Sequence, residues 1–359
     1  YPDPMNREAG IKAHAALISA DEHRRKTAAG ETDHLHLYAV GSDTPVLDLR
    51  ITAVEELNAT TRLYDIAHPE GHGLPAWTAG AHLDLVVAPE YLRPYSLLGD
   101  PKDRSRYRIA VLREDEGRGG SALLHRVFTQ GRRIFVGKPV NHFELFEGAS
   151  HSLLMGGGIG ITPMIAFAHR LHALGRPFDL HYSASTREAA AFAGELAQAA
   201  WADRVHLHIS AEDTRADLPA IMARAPEGAH IYTCGADAYM QSVMAAAEGA
   251  GIPEDARHLE YFSTPEVPDY VNHPFTLKLS SGRQIEVSAE ETAADALIAA
   301  GVPVDLKCSD GICGVCKCGL RGGEVEHRDF VLSAKQREGA IILCQSRAAQ
   351  PGGVLELDL

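Results

Sequence analysis

Long hydrophobic runs are missing from this sequence. The most apolar stretch, around Ile159–Ala168, is soon interrupted by His169 and Arg170. A helix needs about 20 apolar residues to cross a bilayer, so no membrane partner is expected. Basic charge is also in deficit. Lysine and arginine total 34 against 48 aspartate and glutamate, a net charge of −14. That balance argues against a nucleic-acid or anionic-membrane partner and permits one with a basic docking patch. The start, Tyr1-Pro2-Asp3-Pro4, has no initiator Met and no basic segment followed by an apolar one. No secretory signal is therefore expected, and trimming is. Cysteines number only six, and four fall into one pattern, a usage that fits a reducing cytoplasm. No C-x-H…C-x2-H pair and no non-haem iron triad can be found, so direct chemistry on an organic substrate is not expected.

What is present is ordinary globular material in quantity. Hydrophobic residues make up 45% and charged residues 23%, as in soluble domains. At 359 residues the chain exceeds one ordinary core and predicts two or three domains. Residues 1–44 form an extension. Within it, Asn6 to about Thr27 reads as a helix, with Ile11, His14, Ala15 and Ile18 on one face and Asp21–Arg25 and Glu22–Lys26 as i,i+4 pairs. Such a helix packs on the first domain or belongs to a partly ordered tail.

The decisive stretch is Cys308-Ser309-Asp310-Gly311-Ile312-Cys313-Gly314-Val315-Cys316, with Cys344 farther on. C-x4-C-x2-C followed by a distant cysteine is the plant-type spacing for a [2Fe–2S] cluster held by four thiolates. Gly311 and Gly314 allow a tight loop whose N–H groups approach the sulfurs. Zinc is the alternative, but it usually takes paired C-x2-C knuckles at both ends, and here the second end is a lone Cys344. Cys318 lies two residues past Cys316, outside the C-x4-C-x2-C spacing, and reads as a core thiol, not a ligand.

Residues 45–148 read as a small antiparallel barrel. Val46–Glu56, Thr61–Asp65, His82–Val87, Arg106–Arg113 and Arg133–Gly137 are short alternating runs separated by turn residues. Two motifs lie on it. Arg93-Pro94-Tyr95-Ser96 places a guanidinium, a phenol and a hydroxyl on one strand, suited to an anion, an aromatic face and a ring nitrogen. Gly117-Arg118-Gly119-Gly120-Ser121 enters a helix over Ala122–Thr129 and makes a phosphate cradle. Together they read as a flavin site.

Residues 149–262 alternate strand and helix, with strands at His151–Met155, Asp179–Ser183, Val205–Ile209 and His230–Thr233 and Ala-rich helices between. This predicts a parallel sheet of nucleotide-binding type. After its first strand comes Gly156-Gly157-Gly158-Ile159-Gly160-Ile161-Thr162-Pro163, then a helix over Met164–Leu174. Such glycines let a pyrophosphate approach the backbone and the helix N-terminus. Cys234-Gly235 ends the last strand, where ligands collect in open α/β sheets; Cys234 reads equally as a buried core residue. The second strand runs into Ser185 and Arg187 without the acid that commonly holds an NAD ribose, and these two would suit a 2′-phosphate. Residues 263–273, with Pro265 and Pro268, are a linker. From 274 to 359 a hairpin about Ser281-Gly282, a helix capped by Thr292 and Asp295 and stopped by Gly301, the cysteine loop and a final strand over Val354–Asp358 make a compact domain.

The order of these parts resembles the phthalate dioxygenase reductase family over about residues 46–359. Arg93-Pro94-Tyr95-Ser96, Gly117–Ser121, the glycine run 156–163, Cys234-Gly235, Glu260-Tyr261-Phe262 and the cysteine pattern carry the resemblance. It implies a flavin-binding barrel, an α/β nucleotide-binding domain of ferredoxin-reductase type, and an α+β β-grasp ferredoxin domain. It further implies FMN, with Arg93, Tyr95 and Ser96 at the isoalloxazine and Gly117–Ser121 at the phosphate. NADH is implied as the coenzyme, held by Gly156–Gly160, Thr162, Pro163, Cys234 and Gly235, with Phe262 beside the flavin; NADPH stays open because of Ser185 and Arg187. Leu112 departs from the family archetype, where a Lys stands near the flavin. His327-Arg328-Asp329 also matches a family segment, to which no role is assigned.

Hydride arrives as two electrons and a [2Fe–2S] cluster takes one, so a flavin that handles both belongs between them. Ser96, Cys234 and Phe262 are expected where nicotinamide meets flavin, and Ser309–Val315 where electrons leave. The resemblance implies a Rieske-type oxygenase, an aromatic dioxygenase or O-demethylase, as partner. Alternatives are a haem monooxygenase or a soluble carrier as acceptor, an iron–sulfur sensor, and a zinc-stabilised binding module. Flavin and nicotinamide sites beside the cluster count against the last two.

Overall fold

The computed structural model describes residues 47–88, 91–114, 120–263, 269–306 and 308–359. The helix expected over Asn6–Thr27, the Gly117-Arg118-Gly119 half of the phosphate motif, and Pro265 and Pro268 lie outside the described residues. The described chain divides into two compact units, residues 47–262 and 263–359.

The first unit opens with an antiparallel sheet. Its strands are β1 (Leu47–Glu56), β2 (Thr61–Ala67), β3 (Ala81–Ala88), β4 (Tyr91–Ser96), β5 (Tyr107–Leu112), β6 (Arg133–Val136) and β7 (Val140–Asn141). They run in the order β4-β3-β6-β1-β2-β5, with β7 paired to β3. A bridge between Leu97 and Ile109 joins the two ends of this path and closes it into a barrel. Every second side chain points inward. Leu49 and Ile51, Leu83 and Leu85, Ile109 and Val111, and Ile134 and Val136 are accordingly buried. Helix α1 (Gly120–Val127) follows β5.

The same unit continues with five parallel strands, β8 (His151–Gly157), β9 (Phe178–Ala184), β10 (Val205–Ile209), β11 (Ala229–Cys234) and β12 (Arg257–Glu260), ordered β10-β9-β8-β11-β12. Its helices are α2 (Ile161–Ala173), α3 (Ala193–Leu196), α4 (Leu218–Ala223) and α5 (Asp237–Gly249). The apolarity of Ile159–Ala168 now has a cause. Helix α2 lies between the sheet and the barrel, with Phe167 against Tyr232 at 5.0 Å and against Phe143 at 5.2 Å between ring centroids. A helix covered on several sides needs apolar residues on all of them.

Three local expectations shift. Helix α2 starts at Ile161, not Met164, because Pro163 sits in the first turn, where a missing N–H costs nothing. Between β9 and β10 the alanines yield only the short α3. The buried anchors there, Ala190, Phe192, Leu196 and Trp201, are spaced irregularly and cannot share one helical face. Strand β12 went unread because it is an edge strand whose four residues are all half-buried, so no alternation marks it.

The second unit holds β13 (Phe275–Lys278), β14 (Gln284–Val287), α6 (Ala293–Ala299), β15 (Lys317–Gly322), β16 (Val325–Glu326), α7 (Ala334–Arg337), β17 (Ala340–Ile342), β18 (Arg347–Ala348) and β19 (Val354–Leu357). The main sheet runs β14-β13-β19-β15-β17, with β13 and β19 parallel. Gly282 turns the hairpin at φ 83°. Thr292 and Asp295 cap α6 reciprocally. Phe275, Leu277, Leu297, Ile341, Leu355 and Leu357 fill the core between helix and sheet.

Candidate functional site

The cysteine loop folds back on itself through three left-handed residues, Ser309 (φ 57°), Gly311 (φ 74°) and Gly314 (φ 71°). A Cβ at Gly311 would lie 3.3 Å from the Cα of Asp329, so glycine serves both the turn and the close approach. Side chains from later in the chain fix the loop. Gln345 Nε2 donates to the Ser309 carbonyl at 2.7 Å, and the Phe330 N–H donates to that of Gly311 at 3.0 Å. Asp329 orders the neighbouring turn by accepting from the N–H groups of Val331 (3.2 Å) and Leu332 (2.9 Å).

These constraints gather four thiols. Hydrogen bonds from Cys313 and Cys344 hold the Cys308 thiol far below the ordinary range, and the N–H groups of Asp310 and Ile312 add to this. Cys344 likewise lowers Cys316 and is itself pushed up by the shared protons. The protons are shared within the set: Cys308 and Cys316 are lowered, while Cys313 and Cys344 are pushed up by the same hydrogen bonds, and the Asp310 N–H lies 3.3 Å from Cys308 Sγ. That is the environment an iron–sulfur cluster needs. Cys316 and Cys344 are buried, whereas Cys308 and Cys313 are half-exposed, so one side of the site reaches the surface. Cys318 is buried in the core and turns its thiol to the Gly319 carbonyl at 3.4 Å.

On the barrel, Arg93, Tyr95 and Ser96 share β4, with Ser96 buried and Pro94 exposed. Burial pushes the Tyr95 phenol well up, against the pull of the Arg93 charge. A Cβ on Gly120 would stand 2.7 Å from Arg93 Nε. The N-terminus of α1 therefore meets the guanidinium only because residue 120 has no side chain. Ser121 Oγ accepts from the Glu114 N–H at 3.1 Å.

The glycine turn of the sheet lies against β5 of this barrel. Gly156 pairs with Cys234 across the β8–β11 ladder, at the point where the strand order reverses, the usual crevice of such sheets. Gly160 packs so tightly that a Cβ would lie 2.2 Å from the Cys234 carbonyl oxygen, and one on Gly157 would lie 2.7 Å from the Tyr239 ring. Gly158, at φ +54°, faces open space. Helices α2 and α5 both begin here without a side-chain cap; α2 continues the 3-10 turn Gly158–Gly160, whose Gly158 carbonyl accepts from the Ile161 N–H. Thr162 and Pro163 are buried in that first turn, and Thr162 Oγ1 donates to the half-buried Ile159 carbonyl at 3.1 Å. Cys234 is fully buried. Desolvation, and then the Glu260 carboxylate, push its thiol up, so it stays neutral. Gly235 follows at φ 152°. Phe262 is 42% exposed. Ser185 and Arg187 are exposed beyond β9, and Arg187 is paired with Glu212.

A family model described as a 2Fe-2S iron-sulfur cluster binding domain matches residues 277–349. Phenoxybenzoate dioxygenase subunit beta of Ectopseudomonas oleovorans is 43% identical over 324 residues, covering 89% of this chain and 99% of that one. The solved structure of phthalate dioxygenase reductase, described as modular for electron transfer from pyridine nucleotides to [2Fe–2S], is 36% identical with a TM-score of 0.63. It is matched over 88% of this chain and 98% of its own. The chain belongs to the phthalate dioxygenase reductase family. With that family comes the iron–sulfur reading of the four cysteines, and the zinc alternative falls away. The same architecture is found elsewhere. Full-length CYP116B46 from Tepidiphilus thermophilus matches with a TM-score of 0.77 and 35% identity over 88% of this chain. This chain spans only 42% of that longer one.

Family membership also sorts what the sequence revealed from what it hid. The motifs read on the barrel, the sheet and the cysteine loop are short strings in the sequence. Asp329, Gln345 and Glu212 were not singled out for the roles they fill. Their only signal was position, Asp329 inside the His327-Arg328-Asp329 segment and Glu212 just past the third parallel strand. No helix among the described residues is long and apolar enough to cross a membrane.

Proposed function

We propose that this chain takes electrons from NADH, passes them through FMN to a [2Fe–2S] cluster, and delivers them singly to a Rieske-type oxygenase component of the aromatic dioxygenase or O-demethylase kind. The observation that carries the reading is the mutual contact of Cys308, Cys313, Cys316 and Cys344 in a chain that also holds a barrel and a parallel sheet with a glycine turn at its crevice. Flavin, when bound, accepts a hydride and releases electrons one at a time, which joins nicotinamide chemistry to one-electron chemistry.

The residues then have distinct tasks. Arg93 and Arg118 would offset the charge of an FMN phosphate, and the Gly117–Ser121 motif would hold that phosphate. Ser96, on the same strand as Arg93, would hydrogen-bond a flavin, and Tyr95 would pack against it. Gly156–Gly160 and the first turn of α2 receive the coenzyme pyrophosphate. Cys234, held neutral by burial, shapes the nicotinamide pocket and does no thiolate chemistry. Phe262 closes the pocket from its exposed position. No side chain transfers a proton in the hydride step. Electrons leave through the half-exposed side of the loop near Cys308 and Cys313. Six free cysteines agree with a cytoplasmic location.

Anaerobic addition of NADH to the purified protein tests this reading. Flavin bands and broad iron–sulfur absorbance should both bleach, and the released flavin should run with an FMN standard. Flavin absorbance without iron–sulfur absorbance in an iron-replete preparation would overturn it. The likeness to CYP116B46 favours a second reading, in which the acceptor is a haem monooxygenase. Reconstitution with one oxygenase of each type separates the two.

A further inference from the structure

At the carboxyl edge of the parallel sheet, the turn after β9 and the turn after β10 are tied together. The second is a single 3-10 turn, Ser210–Glu212, and the Ala211 N–H donates to the Ser185 carbonyl at 2.9 Å. Over this tie the Arg187 guanidinium meets Glu212 fork to fork, Nε to Oε1 at 2.8 Å and NH2 to Oε2 at 2.6 Å. The two side chains are 64% and 40% exposed. Pairs this open contribute little to folding, yet two parallel bonds fix the guanidinium in one orientation. The place is the end of the second strand in chain order. There dinucleotide folds distinguish a ribose 2′-hydroxyl from a 2′-phosphate, an acid favouring the first and an arginine the second. Strand β9 ends at Ala184 without such an acid at its tip, and Arg187 follows just beyond it, ahead of Glu188. Folding brings the acid from the next strand.

We infer that the Arg187–Glu212 pair sets the coenzyme preference toward NADH. The Nε–NH2 edge of the guanidinium is taken by the Glu212 carboxylate, and that carboxylate would repel a 2′-phosphate approaching the remaining NH1 side. A 2′-hydroxyl carries no charge and can donate to Glu212. This deepens the reading of residues 149–262 as the coenzyme site and rests on it.

The test is steady-state oxidation of NADH and of NADPH by the full chain, with ferricyanide as acceptor, for wild type, Glu212→Gln, Arg187→Gln and the double variant. Wild type should favour NADH. Glu212→Gln should raise the NADPH:NADH ratio of kcat/KM about tenfold or more, the scale of one hydrogen bond to a charged group. The gain should sit in the KM for NADPH, shrink with added salt, and vanish in the double variant. A ratio altered by less than about twofold, well short of one such bond, overturns the inference while NADH oxidation continues. So does a gain that survives in the double variant, or a wild type that prefers NADPH. A flavin-loaded wild type that oxidises neither coenzyme brings down the coenzyme reading itself, and this inference with it.

Discussion

Gly160→Ala is the sharpest probe of the crevice. The added methyl would lie 2.2 Å from the Cys234 carbonyl oxygen, 2.3 Å from its carbonyl carbon and 2.5 Å from the Gly235 nitrogen. All three are backbone atoms, and Cys234 is paired on both sides, with Gly156 on β8 and Glu260 on β12. Neither neighbour can rotate out of the way. Carbon and oxygen approach to about 3.3 Å at closest in ordinary contacts, so the turn must separate from β11 by about 1 Å. Forcing a methyl into packed surroundings costs about 1–3 kcal/mol. In a unit of this size each kcal/mol lowers the melting temperature by about 2–4 °C. The functional effect is larger, since a 1 Å displacement of positioned reactants can cost about 100-fold in rate. Gly194→Ala is the control. It lies in α3 with nothing within 4 Å of the new methyl, and alanine is the better helix former by up to about 1 kcal/mol. Stopped-flow bleaching of the flavin across a range of NADH concentrations, with thermal melts of both variants, gives the comparison. A Gly160→Ala protein within about twofold of wild type in flavin reduction, against the 100-fold scale above, would refute the tight seating of the turn on β11.

Three further outcomes are expected. Cys344→Ser should lose iron–sulfur absorbance and keep flavin bands, whereas Cys318→Ser should keep both, because its thiol bonds the Gly319 carbonyl inside the core; the reverse pattern in visible spectra contradicts the ligand assignment. His181, stacked beside His206 and His208, is lowered from 6.5 to about 4 by burial and by those neighbours. The unfolded chain therefore binds more protons below pH 6.5, so His181 contributes stability that is complete above 6.5 and lost as pH falls toward 4, about 3 kcal/mol at most. Melting curves between pH 7 and pH 4 should show that loss, and His181→Gln should flatten it; an unchanged slope removes His181 as the cause. Thr292→Ala breaks the capping box on α6 and should cost about 1 kcal/mol. In a unit this small that lowers the melting temperature of the iron–sulfur part by about 4–8 °C. Absorbance-detected melts showing no decrease would mean the cap contributes nothing.

Sequence alone revealed those features whose cause is local. The Thr292–Asp295 box, the Gly282 turn and the spacing of three cysteines each act within a few residues, and the structure has them as read. The alternating strands of the barrel were legible for the same reason, since period two follows from one face being buried. Features that depend on what a segment meets later were not. Alanine-rich Thr186–Ala200 has the propensity for a long helix, but Phe192, Leu196 and Trp201 are drawn into the core at irregular spacings and only α3 forms. Strand β12 has no pattern of its own and exists through its ladder with β11. In the candidate site the same division holds. Arg93 and Gly120 were both named from their motifs, but their mutual dependence, the missing Cβ at 120 making room for Nε of 93, required coordinates. An acid opposite Arg187 could not be read from β9 because it arrives from another turn.

One feature of the iron–sulfur unit bears on how it is made. Strand β19 is the middle of its sheet, held between β13 and β15. Cys344, the fourth thiol, and Gln345 and Asp329, which steady the loop, also come after the first three cysteines in the chain. As the polypeptide leaves the ribosome, Cys308, Cys313 and Cys316 emerge bare, with neither the sheet behind them nor the sulfur that completes their set. The sheet behind them is complete only once Val354–Leu357 lies between β13 and β15. Biogenesis thus has an order written into it. The nascent stage is the moment at which these thiols are most open to oxidation or to the wrong metal.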